Sequence, residues 1–344
     1  MSERIKILIA RTDKIGDLIL SIPSFYMVRK MYPNAEITVL VRKYNYEIVK
    51  NLPYIDRVIK IDEFRKNELI KKIAYFKADI FIALYNDKYI STLARKSKAK
   101  IRIGPFSKIC SFFSFNRGVW QRRSKSIKNE AEYNLDLIKK IDKNKHEENF
   151  EINTEIFLTE NNLEVAELFY QQNNITGKSL VINPFMGGSA KNLKDQEYSS
   201  LIKKVIEQNK DLSVIILCHI SELERGEKLK NSINEKKVYL FPNGGDLLNI
   251  GGIINKATLY FGGSTGPTHL AGALKKDIVA IYPKLKTQSI MRWGIYGSQK
   301  VDYIIIDENN NKEDYSHKNF DSYNKEIENK IADKIKEKLI ELGG

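Results

Sequence analysis

Residues 258–283, TLYFGGSTGPTHLAGALKKDIVAIYP, leave this chain few folds to choose from. A short apolar run at 258–261 ends in Gly262 and Gly263, which permit a tight turn and close approach of another backbone. Ser264 or Thr265 can cap the helix that follows, and Pro267 fits its first turn, where a missing N–H costs nothing. The helix is expected over 269–274 and a second buried strand over 278–282. Such a βαβ turn points free backbone N–H groups and the positive end of a helix dipole outward, which suits a phosphate. A plain, well-capped turn explains the same residues without any ligand.

The same alternation runs along the rest of the chain. Strands are expected at 6–10, 36–41, 57–61, 79–84 and 101–103. A long helix opens at Asp17, with Pro23 early in it, and further helices are expected at 66–76, 87–98 and 129–143. Polar residues 143–151 read as a linker. Strands at 152–158, 179–182, 213–217, 238–241 and 303–306 follow, with helices at 161–172, 195–208, 221–233, 246–255 and 321–341. This predicts an α/β protein with parallel sheets covered on both faces. Its expected domains are 1–150 and 151–320, and a C-terminal helix in 321–344 is expected to pack back on the first domain. Ligands in such sheets sit beyond the carboxyl ends of the strands, so two halves facing each other make a cleft.

Charge separates the halves. Residues 1–150 carry 32 Lys and Arg against 17 Asp and Glu, whereas 151–344 carry 25 against 26. A genome rich in Lys codons raises both halves, so the asymmetry points to an anionic partner for the first: phosphorylated glycan, acidic lipid surface or nucleic acid. Residues 104–128 mix aromatics with Arg117, Arg122, Arg123, Lys125 and Lys128. Such a stretch can bind single-stranded nucleic acid, hold a phosphorylated glycan, touch a membrane, or simply be a loop with solvated charges. No nucleic-acid motif accompanies it, so nucleic acid ranks last. The charged start MSERIKILIA is not a secretory signal, and no apolar run approaches the roughly 20 residues of a membrane span. Cys110 and Cys218 form no metal pattern and suit a reducing compartment, and the four histidines make no ligand cluster.

Four places at strand ends can carry chemistry. After the first strand, Asp17 is either a helix-start acid or a general base, and Asp13 competes for that role. In NPFMGGSAKNL, Gly187, Gly188 and Ser189 offer donors and Lys191 a charge for a diphosphate, with a spacing that is not a P-loop. After strand 213–217, Glu222 or Glu224 can take ribose hydroxyls or lie solvated at a helix start. In the opening turn, His269 lies one turn into the helix, where a packed or capping role is the commoner one.

Taken together, ILIARTDKIGDLILSIPS, NEAEYNLDLI, NPFMGGSAKNL and GGSTGPTHLAGAL resemble, in order, the segments of glycosyltransferase family 9, the bacterial heptosyltransferases of lipopolysaccharide core assembly. The resemblance implies a GT-B fold, two Rossmann-like domains facing across a cleft, acceptor on the first and nucleotide-sugar on the second. It implies an inverting, metal-independent transfer of heptose from ADP-heptose, with no cofactor. Asp17 matches the family's base and Lys191 the lysine that neutralises the diphosphate. Gly187, Gly188, Ser189, Glu222, Ser264, Thr265, Gly266 and His269 then fall to the donor, and Asp13, Lys14, Arg65, Lys66, Arg117, Arg122 and Arg123 to the acceptor. Ser264 stands where many members carry an acid or Asn, and Asn129 where many carry a His. The implied acceptor is an anionic, phosphorylated or Kdo-bearing lipid-linked glycan, met by a monomer peripheral to the cytoplasmic face of the inner membrane. Another nucleotide-sugar donor, or a non-catalytic nucleotide-sugar or glycan-binding protein on the same fold, are the alternatives.

Overall fold

The computed structural model describes residues 4–107, 109–186, 188, 190–307 and 318–343. The chain divides into two compact units, Met1–Phe157 and Leu158–Gly344. The first holds six strands: β1 Lys6–Ala10, β2 Glu36–Val41, β3 Arg57–Lys60, β4 Ile80–Ala83, β5 Ile101–Pro105 and β6 Arg117–Val119. They form one sheet in the order β3-β2-β1-β4-β5-β6, and every pair is parallel. The second holds β7 Ser179–Asn183, β8 Ser213–His219, β9 Val238–Asn243, β10 Leu259–Gly262, β11 Ile278–Pro283 and β12 Val301–Ile306. Its parallel sheet has the order β12-β11-β10-β7-β8-β9. Counted from its own first strand, the second sheet repeats the first: both are doubly wound, and strand order reverses beside β1 in one and beside β7 in the other.

Parallel strands buried on both faces read as unbroken apolar runs. That is the character of KILIA in β1, SLVIN in β7 and IVAIYP in β11. One face of the first sheet closes over Leu8, Leu40, Phe81, Ile73 and Leu93. In the second unit Leu180, Ile216, Phe261 and Ile304 meet Tyr198, Leu201, Ile331, Ile335 and Leu339.

The structure departs from the sequence reading in five places. The helix after β1 is two helices, Ile15–Ile19 and Ile22–Met31, because Pro23 has no N–H for the carbonyl a turn earlier. Residues 143–151 are not a linker: Asp142 accepts from the backbone N–H of Lys145 and starts the helix Lys143–Glu148. The strand expected at 152–158 is absent, and that extended segment crosses the boundary between the units. Residues 104–128 contain β6 and the helix Ile109–Ser114. Finally, the C-terminal helix Lys325–Glu341 buries Ile331, Ala332, Ile335 and Leu339 in the core of its own unit. Its apolar stripe is used there, within its own unit, whereas the expectation set this helix against the first domain.

Gly252 shows how tightly the second unit is packed. It lies in the helix Leu248–Lys256, and a Cβ there would stand 2.1 Å from the carbonyl oxygen of Asn162. Asn162 accepts from the N–H of Thr159, the N-cap of its helix, and donates to Asn249, so this backbone cannot retreat cheaply. Gly252→Ala is expected to destabilise the protein by about 1–3 kcal/mol, read as a lower urea midpoint. An unchanged midpoint would show that the two helices can slide apart.

Candidate active site

The loop leaving the carboxyl end of β1 places Arg11 at the reversal of the first sheet, where its Nη1 donates to the Leu84 carbonyl beyond β4 at 3.2 Å. The guanidinium is only 1% exposed, yet it is surrounded by acids. Its Nε lies 2.7 Å from Asp13 Oδ1, and its Nη2 lies 2.8 Å from Asp17 Oδ1 and 3.3 Å from Glu130 Oε1. Nη1 also donates to Asn134 Oδ1 at 3.0 Å. Glu130 and Asn134 lie one turn apart on the helix Glu130–Lys139, so both face the same guanidinium. That helix is started by Asn129, whose side chain accepts from the Ala131 N–H while its own N–H donates to Glu132. Arg123 is paired with Glu130 and donates to Gln121 at 2.9 Å.

Two arginines therefore face three carboxylates, Asp13, Asp17 and Glu130, which favours one retained proton. The Asp13 side chain hydrogen-bonds that of Asp17, which favours the protonated form of Asp13. Burial, opposed by Arg11 and reinforced by the Asp17 charge, pushes Asp13 up to about 7. The loop is fixed from outside as well: Tyr44 Oη and Asn45 Nδ2 donate to the Asp13 carbonyl at 2.6 and 2.7 Å. Asp17 stays partly exposed, and its carbonyl accepts from Ser21 Oγ at 2.8 Å. A carboxylate oriented by a buried cation and still open to solvent is suited to take a proton.

A carboxyl raised in the folded state favours folding most below its unfolded value and loses that contribution as pH rises through the folded value. For Asp13 the window runs from about 4 to about 7. Asp13→Asn keeps a hydrogen-bond donor toward Asp17 and never ionises. It is expected to raise the melting temperature over wild type at pH 8 by a few degrees, on the order of 1 kcal/mol or more, but not at pH 4. Equal changes at both pH values would mean that Asp13 does not hold the proton.

In the second unit, two loops meet at the reversal between β7 and β10. Asn183, the last residue of β7, donates to Thr265 Oγ1 at 3.4 Å. Thr265 precedes the helix Gly266–Ala273, and its hydroxyl hydrogen-bonds Thr268 at 3.0 Å. Thr268 Oγ1 in turn donates to the Gly263 carbonyl at 2.5 Å and lies 3.2 Å from the buried Tyr260 hydroxyl. These bonds hold the turn that exposes the helix N-terminus. A Cβ on Gly263 would meet Met186 at 3.3 Å and Asn192 at 3.7 Å, so the loop after β7 lies directly against it. Ser264 hydrogen-bonds the buried Tyr282 hydroxyl. His269 is buried, and burial lowers it to about 4, so its ring is neutral at pH 7; its Nδ1 has no hydrogen-bond partner among the described residues.

Lys191 lies in that loop, buried, with Nζ 3.4 Å from Asp321 and its backbone N–H donating to Gln288 at 3.0 Å. Asn192 ties the loop to the chain near the C-terminus, donating to Lys318 and accepting from Phe320 through the backbone. Gly188 has φ +74, a left-handed conformation that favours glycine. Gly187 and Ser189 lie outside the described residues. Glu222 follows β8 and faces Arg225 at 3.5 Å; Arg225 grips Asp195 at 2.7 and 2.8 Å.

The first unit thus gathers Asp13 and Asp17 but not all the expected acceptor cations. Arg123 is consumed by Glu130, and Arg117 donates to the Ile141 carbonyl. Lys14, Arg65, Lys66 and Arg122 are exposed. Arg11, Glu130 and Asn134 were not anticipated. Their one sequence signal is an arginine directly after an apolar strand and, more than a hundred residues later, an acid and an amide four residues apart. Among the described residues no group of three His, Cys, Asp or Glu could hold a metal ion.

Comparison with known proteins narrows the chemistry. The family model described as glycosyltransferase family 9 (heptosyltransferase) matches residues 67–324. A Haemophilus influenzae protein that carries a provisional glycosyltransferase name is 30% identical over 296 residues, 84% of this chain and 85% of its own. Among solved structures, a glycosyl transferase family 9 protein from Veillonella parvula superposes with TM-score 0.78 at 18% identity, covering 96% of this chain and 97% of its own. Escherichia coli ADP-heptose LPS heptosyltransferase II superposes with TM-score 0.77 at 16% identity over 98% of both chains. E. coli heptosyltransferase WaaC with ADP gives 0.66 at 15% identity, covering 98% of this chain and all of its own. These structures share the GT-B architecture of two doubly wound units found in this chain.

Proposed function

The chain belongs to glycosyltransferase family 9, and on that premise we propose that it transfers heptose from ADP-heptose, with inversion, to a phosphorylated or Kdo-bearing core of a lipopolysaccharide or lipooligosaccharide. An acceptor hydroxyl attacks C1 of the sugar. Its proton passes to Asp17 as the new C–O bond forms, the bond from C1 to the diphosphate breaks, and ADP leaves from the opposite face. The observation that carries this reading is the Asp17 carboxylate, partly exposed and held at 2.8 Å by the buried Arg11. Arg11 is a positioning residue, itself fixed by Glu130 and Asn134.

The leaving diphosphate needs positive charge. Lys191, together with the N–H groups at the start of the helix Gly266–Ala273, supplies it, so that no metal is required. The neutral His269 ring, with its unpaired Nδ1, is available to hydrogen-bond the donor. Gly188, Glu222, Ser264, Thr265 and Gly266 complete the donor side, and Asp13, Lys14, Arg65, Lys66 and Arg122 the acceptor side. Two relatives in the structural comparison are named as heptosyltransferases, one of them solved with ADP. That supports the choice of donor.

The charge excess of residues 1–150 supports an anionic acceptor or surface; on this reading the protein works as a monomer, peripherally, at the cytoplasmic face of the inner membrane. No described helix is long and apolar enough to cross a membrane. Incubation with ADP-heptose and Kdo-bearing lipid A, followed by NMR of the product, tests the reaction. A new glycosidic linkage with the anomeric configuration opposite to the donor's is expected. Retention would overturn the single displacement, and ADP binding without transfer to any such acceptor would favour a binding protein on this fold.

A further inference from the structure

The helix Ile109–Ser114 is inside out. Its serines face the protein: Ser111 and Ser114 are buried, and Ser111 accepts a hydrogen bond from Asn86 at 2.9 Å. Its isoleucine and two phenylalanines face outward. Ile109 is 81% exposed and Phe113 74%, and Phe112, three residues from Ile109, lies on the same side. Trp120, just past β6, is 73% exposed and packs on Phe112 with ring centroids 5.3 Å apart. Phe106 stacks on Phe112 at 4.7 Å and backs the cluster. A contiguous patch of large apolar side chains is unusual on a surface that faces only water.

The patch has a place and a sign. Phe106 follows the carboxyl end of β5 and Trp120 the carboxyl end of β6, and all strands of this sheet are parallel. It therefore lies on the same edge of the sheet as the loop that carries Asp17. Beside it in the chain, Arg122 and Lys125 are exposed and in no ion pair among the described residues. Aromatic and aliphatic tips, a tryptophan and unpaired cations are the combination that seats a protein in an anionic lipid interface.

We propose that Ile109, Phe112, Phe113 and Trp120 insert into an anionic membrane surface, with Arg122 and Lys125 on its headgroups. The inference rests on the reading of a lipid-linked acceptor, and it assigns the face of the protein that meets the lipid. Vesicles free of any glycan test docking apart from transfer. A protein that docks but fails to transfer, or transfers without docking, tells the two failures apart.

The test is co-sedimentation of the full chain with sucrose-loaded vesicles of phosphatidylcholine, with and without phosphatidylglycerol. The Trp293→Phe variant makes Trp120 the sole tryptophan, read by excitation at its red edge where tyrosine does not absorb. Binding is expected only with phosphatidylglycerol present, with a blue shift of Trp120 emission. Ile109→Ser with Phe113→Ser is expected to weaken it about tenfold or more, and Arg122→Glu with Lys125→Glu by a similar factor that shrinks with salt. ADP affinity of the serine variant, measured by calorimetry, is expected to match wild type and shows that it is folded. Vesicle binding unchanged in the serine variant would overturn the proposal. A concentration-dependent dimer that the serine variant abolishes, or single-stranded RNA binding that the glutamate variant abolishes, each without vesicle binding, would also overturn it.

Discussion

Asp17→Asn is expected to lower glycosyl transfer at least about a hundredfold while ADP affinity stays within about twofold of wild type, within the usual scatter of a surface substitution. The substitution keeps size and shape and removes the one property transfer needs, an oxygen able to accept a full proton. It leaves Arg11 with Glu130 and Asn134, so the cluster has partners for its buried cation and the fold survives. ADP is held by the second unit in this reading, and Asp17 lies in the first. Substantial turnover by the Asn variant would remove Asp17 as the base and turn attention to Asp13, its hydrogen-bonded neighbour.

Lys191→Ala carries the second large effect, and on a different quantity. Hydrogen bonds to charged groups contribute about 1.5–3 kcal/mol, so its loss is expected to weaken ADP by roughly ten- to a hundredfold. Asp321, which faces Lys191 at 3.4 Å, is half exposed and stays solvated when the lysine goes, so the variant is expected to fold. Transfer at saturating donor is expected to fall as well, because charge on the leaving diphosphate grows toward the transition state. An unchanged ADP affinity would leave Lys191 a structural role, such as its ion pair with Asp321.

The parallel sheets were legible because buried parallel strands are short apolar runs. Asp17 stood out as an acid at a helix start soon after such a run, and the glycines after 258–261 as a turn before a helix. Arg11 did not. An arginine next to a strand ordinarily reads as exposed, and its partners Glu130 and Asn134 are brought to it only by the fold. The strand β6 is three residues long, too short for a pattern, and the helix Ile109–Ser114 hides behind its inverted polarity. Residues 152–158 fail in the opposite sense. Their alternation suits a strand, but both sheets have their six strands without them, and the segment serves as the crossing between units.

The most direct measurement is calorimetric titration of the purified chain with ADP, UDP and GDP, with and without EDTA. Selective binding of ADP that EDTA leaves unchanged is the expected result, since the proposed site takes its positive charge from Lys191 and the helix N-terminus at Gly266. Selective binding of UDP or GDP would contradict the donor, and loss of ADP binding in EDTA would contradict the metal-free site.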